Sequence, residues 1–389
     1  MYYWGSGYNM RQDLNDRLLP QRLHSSHAAM DLNYSYDARG KITSINDVAV
    51  PSNSRSYDYD ALGRLTSATG PFGANGAQAS ASYVYDALGN LRVKTEGSRT
   101  VTLNYNALNR LSSSVDSGAT GTRSLSYDSR GNVTRLGSLY MGYDISDQPV
   151  SISGTANGTG SANGNYWYDG NLKRVKSVVN GQTNYNVYDI SGKLVHVQTG
   201  TDETDYIDGP FGPLARVKND VVTWIHPDHL GSAQAGTSAG TSSNPGGIVW
   251  REQYTPFGAE VQGVAANDNQ AGFTGHIKDK ATGLNYMQAR YYDPVIGRFL
   301  SIDPVGFMDT QDPGYFNRYA YSLNDPVNRF DPDGRQSVIF SEADRKLLKQ
   351  SAKNKKCEPT TKRSAFRFST KLPRYARCKH NRCRQVFSL

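Results

Sequence analysis

The chain has 389 residues, 26 of them tyrosine and 38 glycine, and only 37% of it is hydrophobic. That balance excludes a helical bundle and fits many short, half-exposed strands joined by tight turns. No apolar run approaches the roughly 18 residues of a transmembrane helix. The net charge of +8 conceals two unlike parts: residues 335–389 hold 16 Lys/Arg against three acids (Glu342, Asp344 and Glu358), whereas the first 334 residues hold 27 Lys/Arg against 32 Asp/Glu.

The first segment, residues 1–29, opens Met1-Tyr2-Tyr3-Trp4-Gly5. It has no basic region followed by an apolar stretch, so no signal peptide is visible. It reads as a truncated or poorly ordered lead-in to a repeat array.

The array occupies residues 30–200. Tyr-Asp recurs at Tyr36-Asp37, Tyr59-Asp60, Tyr85-Asp86, Tyr127-Asp128, Tyr143-Asp144, Tyr168-Asp169 and Tyr188-Asp189, with Tyr105-Asn106 as a degenerate copy. Steps of 16 to 26 residues between tyrosines mean a stacked architecture in which no unit buries its own face alone. The best copies, Tyr59-Asp60-Ala61-Leu62-Gly63 and Tyr85-Asp86-Ala87-Leu88-Gly89, place Asp first and Gly fourth in a turn. Asp accepts a backbone N–H further on, and Gly supplies the positive φ of a bulged hairpin exit. The flanks alternate apolar and polar residues, as in Leu91-Arg92-Val93-Lys94, which is strand periodicity. Each unit is predicted to be a hairpin whose Tyr stacks on its counterpart in the next unit, the hydroxyl reaching solvent or a backbone partner. A sugar-binding aromatic stripe is the other reading of these tyrosines.

Residues 201–334 lose the regular period but keep the strand-and-turn texture, with a Gly/Ser/Thr-rich surface loop expected at 235–247. Residues 335–389 form the variable basic tail, where Ser341-Glu342-Ala343-Asp344 resembles a capping box opening a short helix.

Residues 224–334 carry a distinctive series: Trp224-Ile225-His226-Pro227-Asp228-His229-Leu230-Gly231-Ser232, Tyr254-Thr255-Pro256-Phe257-Gly258, and Gly283-Leu284-Asn285-Tyr286-Met287-Gln288-Ala289-Arg290-Tyr291-Tyr292-Asp293-Pro294. Gly297-Arg298-Phe299-Leu300-Ser301-Ile302-Asp303-Pro304-Val305-Gly306 and Asn324-Asp325-Pro326-Val327-Asn328-Arg329-Phe330-Asp331-Pro332-Asp333-Gly334 complete it. In order and spacing it resembles the repeat-associated core of the bacterial Rhs/YD-repeat family; with the repeats, the resemblance covers residues 30–334. The resemblance implies an all-β fold, YD-repeat hairpins in a sheet that spirals into a partial shell, followed by the small basic tail. It also implies that the shell carries or encapsulates a C-terminal polymorphic toxin module in bacterial competition. Implied partners are an immunity protein for the tail, a nucleic-acid target, and secretion machinery or an upstream repeat-containing parent. Delivery by a route without a signal peptide follows, with a cytoplasmic location as the alternative. The rival readings are a surface adhesion or carbohydrate-binding repeat protein and a non-functional truncated cassette.

The resemblance further implies self-cleavage after the second of two Asp-Pro-x-Gly motifs. The matching carboxylates are Asp303 and Asp331, with Arg298 expected to tune their charge and the cut near Gly334-Arg335. Two carboxylates that share a proton can act as base toward water and as acid toward the leaving group. Family members that cut themselves usually have an apolar residue after the second Gly, whereas this chain has Arg335. The bland account is that both Asp residues only cap Asp-Pro turns.

In the tail, Arg363, Arg367, Arg374, Arg377, Lys379 and Arg382 interleave with Phe366, Phe368 and Tyr375, a pattern suited to phosphate neutralisation and base stacking. A solvated basic extension is the alternative. Cys357, Cys378, His380 and Cys383 supply four soft ligands, enough for a tetrahedral zinc site, although their spacing matches no strong finger pattern and free thiols account for them equally. No other cofactor is expected. His226-Pro227-Asp228-His229 invites a metal or acid–base reading, with turn formation as the plainer one.

Overall fold

A Tyr-Asp unit closes through hydrogen bonds that its own residues dictate. In the unit at Asp86, the carboxylate Oδ1 accepts the N–H groups of Leu88 and Asn90 at 3.0 and 2.9 Å. The Gly89 N–H donates to the Asp86 carbonyl, and the Asp86 N–H to the Asn90 carbonyl, both at 3.0 Å. Gly89 sits at φ +77°, where a Cβ is strained. The same turn recurs at Asp37, Asp60, Asp128 and Asp189. Where the glycine is missing, Asn109, Asp147 and Leu172 adopt the left-handed conformation themselves, which asparagine and aspartate tolerate and leucine does not welcome.

The computed structural model describes residues 2–340, apart from 5–7, 26–27, 120, 156–160, 210–211, 240–245, 263–266, 268–269 and 306–312. The chain divides into two units, Met1–Leu347 and Leu348–Leu389, and all described residues lie in the first. Twenty-four strands, from Tyr2–Trp4 to Ile248–Arg251, form one sheet. Each strand is antiparallel to the next in sequence, a pure meander from end to end (the pairs Tyr57–Ala68 and Tyr83–Lys94 are examples). The register slips by one residue immediately before the turn tyrosines, between Ser35 and Tyr36, Asp58 and Tyr59, and Val84 and Tyr85. Such bulges bend the strand and increase its twist.

Within the segment expected to be a truncated or poorly ordered lead-in, Tyr2–Trp4, Tyr8–Leu14 and Pro20–Ser25 are strands, and the last pairs onward with Asp31–Tyr36. Their backbones satisfy the edge that the first Tyr-Asp hairpin would otherwise expose. Past the regular repeats, where the period is lost, the meander continues to Arg251.

The tyrosines also act differently from a ring-on-ring ladder. Each hydroxyl donates backwards to a backbone carbonyl of the preceding unit: Tyr59 to Ile42 at 2.7 Å, Tyr85 to Leu65 at 2.8 Å, Tyr105 to Leu91 at 2.9 Å and Tyr127 to Leu111 at 2.7 Å. A cation from that preceding unit lies over the ring: Lys41 over Tyr59, Arg64 over Tyr85, Arg92 over Tyr105 and Arg110 over Tyr127, 4.7 to 5.5 Å from the centroids. Tyr143 is the exception. It follows the shortest step in the array, and its hydroxyl turns to the Leu300 carbonyl at 3.3 Å, while the same carbonyl accepts the Val133 N–H at 2.8 Å. The period breaks where the core segment docks.

One face of the sheet is covered. Leu23, Leu32, Ile42, Ile45, Leu65, Leu91, Leu103 and Ile152 share a single buried cluster with Leu230, Phe257, Leu284, Tyr291, Ile296 and Leu300 of the later segments. At about 25 cal/mol per Å² of apolar surface, this burial is the main stabilising term. Residues 277–299 form a separate four-stranded sheet, and Arg329–Phe330 pairs with Val338–Ile339.

Candidate self-cleavage site

The four-stranded sheet positions the site. Its strand Arg290–Asp293 returns from Leu284–Met287 through a tight turn in which Gln288 takes φ +60°. The turn presents Arg290, which is 2% exposed, into the interior. A cation in so apolar and aromatic a strand requires anionic partners, and it has two. One guanidinium nitrogen lies 2.9 Å from Asp303 Oδ2 and 3.1 Å from Asp331 Oδ2. The guanidinium plane also stands 3.5 Å from the Phe299 ring centroid.

The peptide bond between Gly334 and Arg335 is held from both ends. Gly334 sits at φ +75° against the Met287–Arg290 turn, where a Cβ would come within 2.1 Å of the Met287 carbonyl oxygen; only glycine fits. That approach brings the Gly334 carbonyl to Arg290 Nε, which donates to it at 2.5 Å. On the nitrogen side, the Arg335 N–H donates to Asp331 Oδ1 at 3.0 Å. The Asp333 carbonyl accepts the Ala289 N–H at 3.0 Å, and buried His276 Nε2 lies 2.7 Å from the Asp331 carbonyl. Burial pushes His276 below the ordinary imidazole range, against the opposing pull of the Asp331 carbonyl and carboxylate. Its partner at Nε2 is a carbonyl oxygen, which can only accept, so Nε2–H is the donor.

The carboxylates are not in a neutral setting. Burial raises the Asp303 pKa to about 6; Arg290 and the Val305 N–H oppose the rise, and Asp331 adds to it. The backbone of Asp303 is fixed in turn by Arg318, whose carbonyl accepts the Asp303 N–H at 3.0 Å and whose guanidinium donates to the Asp303 carbonyl. A cavity of about 410 Å³, lined in part by His229, His276, Phe330, Pro332 and Phe340, adjoins this region. Taken together, the site holds a proton-accepting carboxyl, a second carboxylate at an amide nitrogen and a cation at that amide's carbonyl. These are the parts that peptide hydrolysis needs.

Of the residues expected from sequence, Asp303 and Asp331 do converge, but Arg298 does not join them. Its guanidinium donates to the Tyr105 hydroxyl at 2.8 Å and to Asn317 Oδ1 at 3.1 Å, tying the core segment to the repeat wall. The bridging cation is Arg290, thirteen residues before Asp303. The signal that could have found it is its setting, a lone charge in Tyr286-Met287-Gln288-Ala289-Arg290-Tyr291-Tyr292. His226-Pro227-Asp228-His229 proves to be another copy of the repeat turn. Asp228 Oδ1 accepts the N–H groups of Leu230 and Ser232, both at 2.9 Å, and Pro227 stands where the tyrosine would. Burial holds His226 down at about 3 and depresses His229 as well, so neither is a proton carrier at neutral pH. No group of three or more His, Cys, Asp or Glu suited to a metal occurs among the described residues. The tail residues Arg363, Arg367, Arg374, Arg377, Lys379, Arg382, Cys357, Cys378, His380 and Cys383, and the helix expected from Ser341, lie outside the described residues. No helix among the described residues is long and apolar enough to cross a membrane.

A repeat-built sheet wrapped against an Asp-Pro-x-Gly core defines a class, the YD-repeat shells. The chain belongs to the teneurin YD-shell family, whose model matches residues 25–327. Among its relatives, the tRNA3(Ser)-specific nuclease WapA of Bacillus spizizenii is 31% identical over 249 residues, which are 62% of this chain and 10% of that protein. Toxin subunit YenC1 of Yersinia entomophaga is 28% identical over 202 residues, 45% of this chain and 20% of that one. The complex TcdB2–TccC3–Cdc42 shares the fold at a TM-score of 0.58 and 18% identity, covering 86% of this chain and 20% of the other. The chain thus spans a tenth to a fifth of the length of these proteins.

Proposed function

We propose that this chain forms part of an Rhs-type shell that carries a toxin module in bacterial competition, and that it cuts itself between Gly334 and Arg335 to separate shell from module. The observation that carries the reading is the double hold on one peptide bond: Arg290 on its carbonyl, Asp331 on its nitrogen, and Asp303 on the same guanidinium. The cationic residues 335–389 begin at that bond. The WapA and YenC1 relatives, named as a nuclease and a toxin subunit, support the toxin reading. They also support secretion or delivery to another cell, and the nuclease name of WapA favours nucleic acid as the target of the tail; an immunity protein as its neutraliser belongs to the same proposal.

In the proposed reaction, water attacks the Gly334 carbonyl carbon while Asp303 takes its proton. Arg290 stabilises the oxyanion that forms, a contribution worth about 3 kcal/mol in comparable sites. The C–N bond then breaks, and the proton reaches the Arg335 nitrogen by way of Asp331, whose Oδ1 faces it. The first products are a Gly334 carboxylic acid and an Arg335 amine, and the second proton of the water passes from acid to amine to leave a carboxylate and an ammonium. A denaturing gel of the purified chain tests this: the 42.8 kDa chain gives two bands, and Asp331→Asn and Asp303→Asn give one. A single intact band from all three defeats the reading. The cut slows as the pH falls below about 6, because Asp303 is then protonated before it can act as a base.

A further inference from the structure

Cleavage at Gly334–Arg335 severs the backbone but not the contacts on its far side. Immediately downstream, the Gln336 N–H donates to Asp331 Oδ1 at 3.2 Å, and Ser337 Oγ lies 3.3 Å from the Tyr315 hydroxyl. Val338 and Ile339 then pair antiparallel with Phe330 and Arg329. Phe340 ends the run. It is 3% exposed, belongs to the main buried cluster, and donates its N–H to the Asn328 carbonyl at 3.2 Å. Its ring meets His229 edge-on at 5.0 Å, and His229 meets Tyr34 of the repeat wall in the same way at 5.1 Å. His229 Nε2 is fixed on the Val327 carbonyl at 2.9 Å.

We propose that residues 336–340 are a bound peptide: a short strand ending in an aromatic plug, which keeps the downstream chain attached to the body after the cut. This rests on the cleavage reading for its biological sense, but the binding site stands on geometry alone. The site is built from the edge of strand Arg329–Phe330 and a socket of His229, which Tyr34 backs, and the Asn328 carbonyl. It recognises an extended peptide by main-chain pairing and by one buried aromatic side chain, the usual division between affinity and specificity in strand addition. The cut ends reinforce the hold. Hydrolysis leaves a carboxylate at Gly334, already on Arg290, and an ammonium at Arg335, already on Asp331, so two hydrogen bonds with one charged partner become two ion pairs. Release of the downstream chain therefore requires withdrawal of Phe340, and the cut alone does not accomplish it.

The test uses the full chain. Wild-type protein that has cut itself gives two bands on a denaturing gel but elutes from a sizing column as one species. In Phe340→Ala the downstream fragment dissociates at least about a hundredfold faster, the scale expected for truncating a buried aromatic, whereas Phe340→Leu, which keeps an apolar plug, stays bound far longer. A nicked Phe340→Ala chain that co-elutes as firmly as wild type overturns the proposal. If the wild-type chain does not cut itself, the cleavage reading fails by itself and the latch is read by amide exchange. The 336–340 amides are then protected in the intact chain and lose protection in Phe340→Ala without a change across the repeats. Unprotected amides in the wild type overturn the latch whatever the gel shows.

Discussion

The repeat wall and the core segment place one kind of bond, from an aspartate carboxylate to the N–H two residues on, in two electrostatic settings. In the wall, the Asp86 turn lies at the rim. Its burial would raise the carboxyl pKa, but the Asn90 side chain, the N–H groups of Asn90 and Leu88 and the Arg92 charge outweigh that and lower it. Asp37, Asp128 and Asp189 go the same way. In the core segment, Asp303 also accepts an N–H two residues on, from Val305 at 2.9 Å. Yet deep burial prevails there, and the group is raised to about 6. The same local sequence chemistry makes a permanently charged cap where water reaches it and a proton acceptor where water does not.

The comparison can be broken at its strongest point first. Arg290→Ala leaves two buried carboxylates facing each other and destabilises the body by about 3–5 kcal/mol in urea unfolding; a loss under 1 kcal/mol shows that the pair is not held by this cation. Next, Leu65 on the buried face and Leu62 at a turn tip, 78% exposed, are three residues apart. Leu65→Ala costs about 2–5 kcal/mol and Leu62→Ala within ~0.5 kcal/mol, and equal effects contradict the assignment of faces.

A third measurement separates the two kinds of aspartate by the sign of their pH dependence. Asp303, raised on folding, contributes stability that is complete below about pH 4 and is lost as the pH rises through about 6. Asp86, lowered on folding, contributes stability present above about pH 4 and lost as the pH falls through its folded value. In the Asp331→Asn background, where the chain stays whole, Asp303→Asn flattens the slope between pH 4 and 6 and Asp86→Asn flattens only the acid limb. Interchanged effects refute the distinction. The smallest effect is Tyr85→Phe, which removes the bond to the Leu65 carbonyl and lowers stability by about 1 kcal/mol in thermal melts.

Much of the wall was legible because its rules are local. Asp, the residues two and four positions on, and a glycine are enough to specify a turn, and two such turns imply the strand between them. That is why even Pro227-Asp228-His229-Leu230-Gly231-Ser232 falls into line once its hydrogen bonds are seen. The site was half legible. Asp303 and Asp331 announce themselves by their prolines, but Arg290, Arg298 and Arg318 all lie within thirty residues of one another. No spacing rule says which of the three turns inward, because that depends on the return of a four-stranded sheet. The tyrosines mislead in the opposite direction. Their regularity suggests rings in contact, whereas Tyr59, Tyr85, Tyr105 and Tyr127 each lie under a cation and the partner of each of those hydroxyls is a main-chain oxygen.

The backward reach of those hydroxyls gives the wall a sense of direction. Tyr59 needs the carbonyl of Ile42, and Tyr85 that of Leu65; neither acceptor needs its tyrosine in order to exist. A chain growing from its amino end meets each docking point ready-made, so the wall can be laid course by course during synthesis.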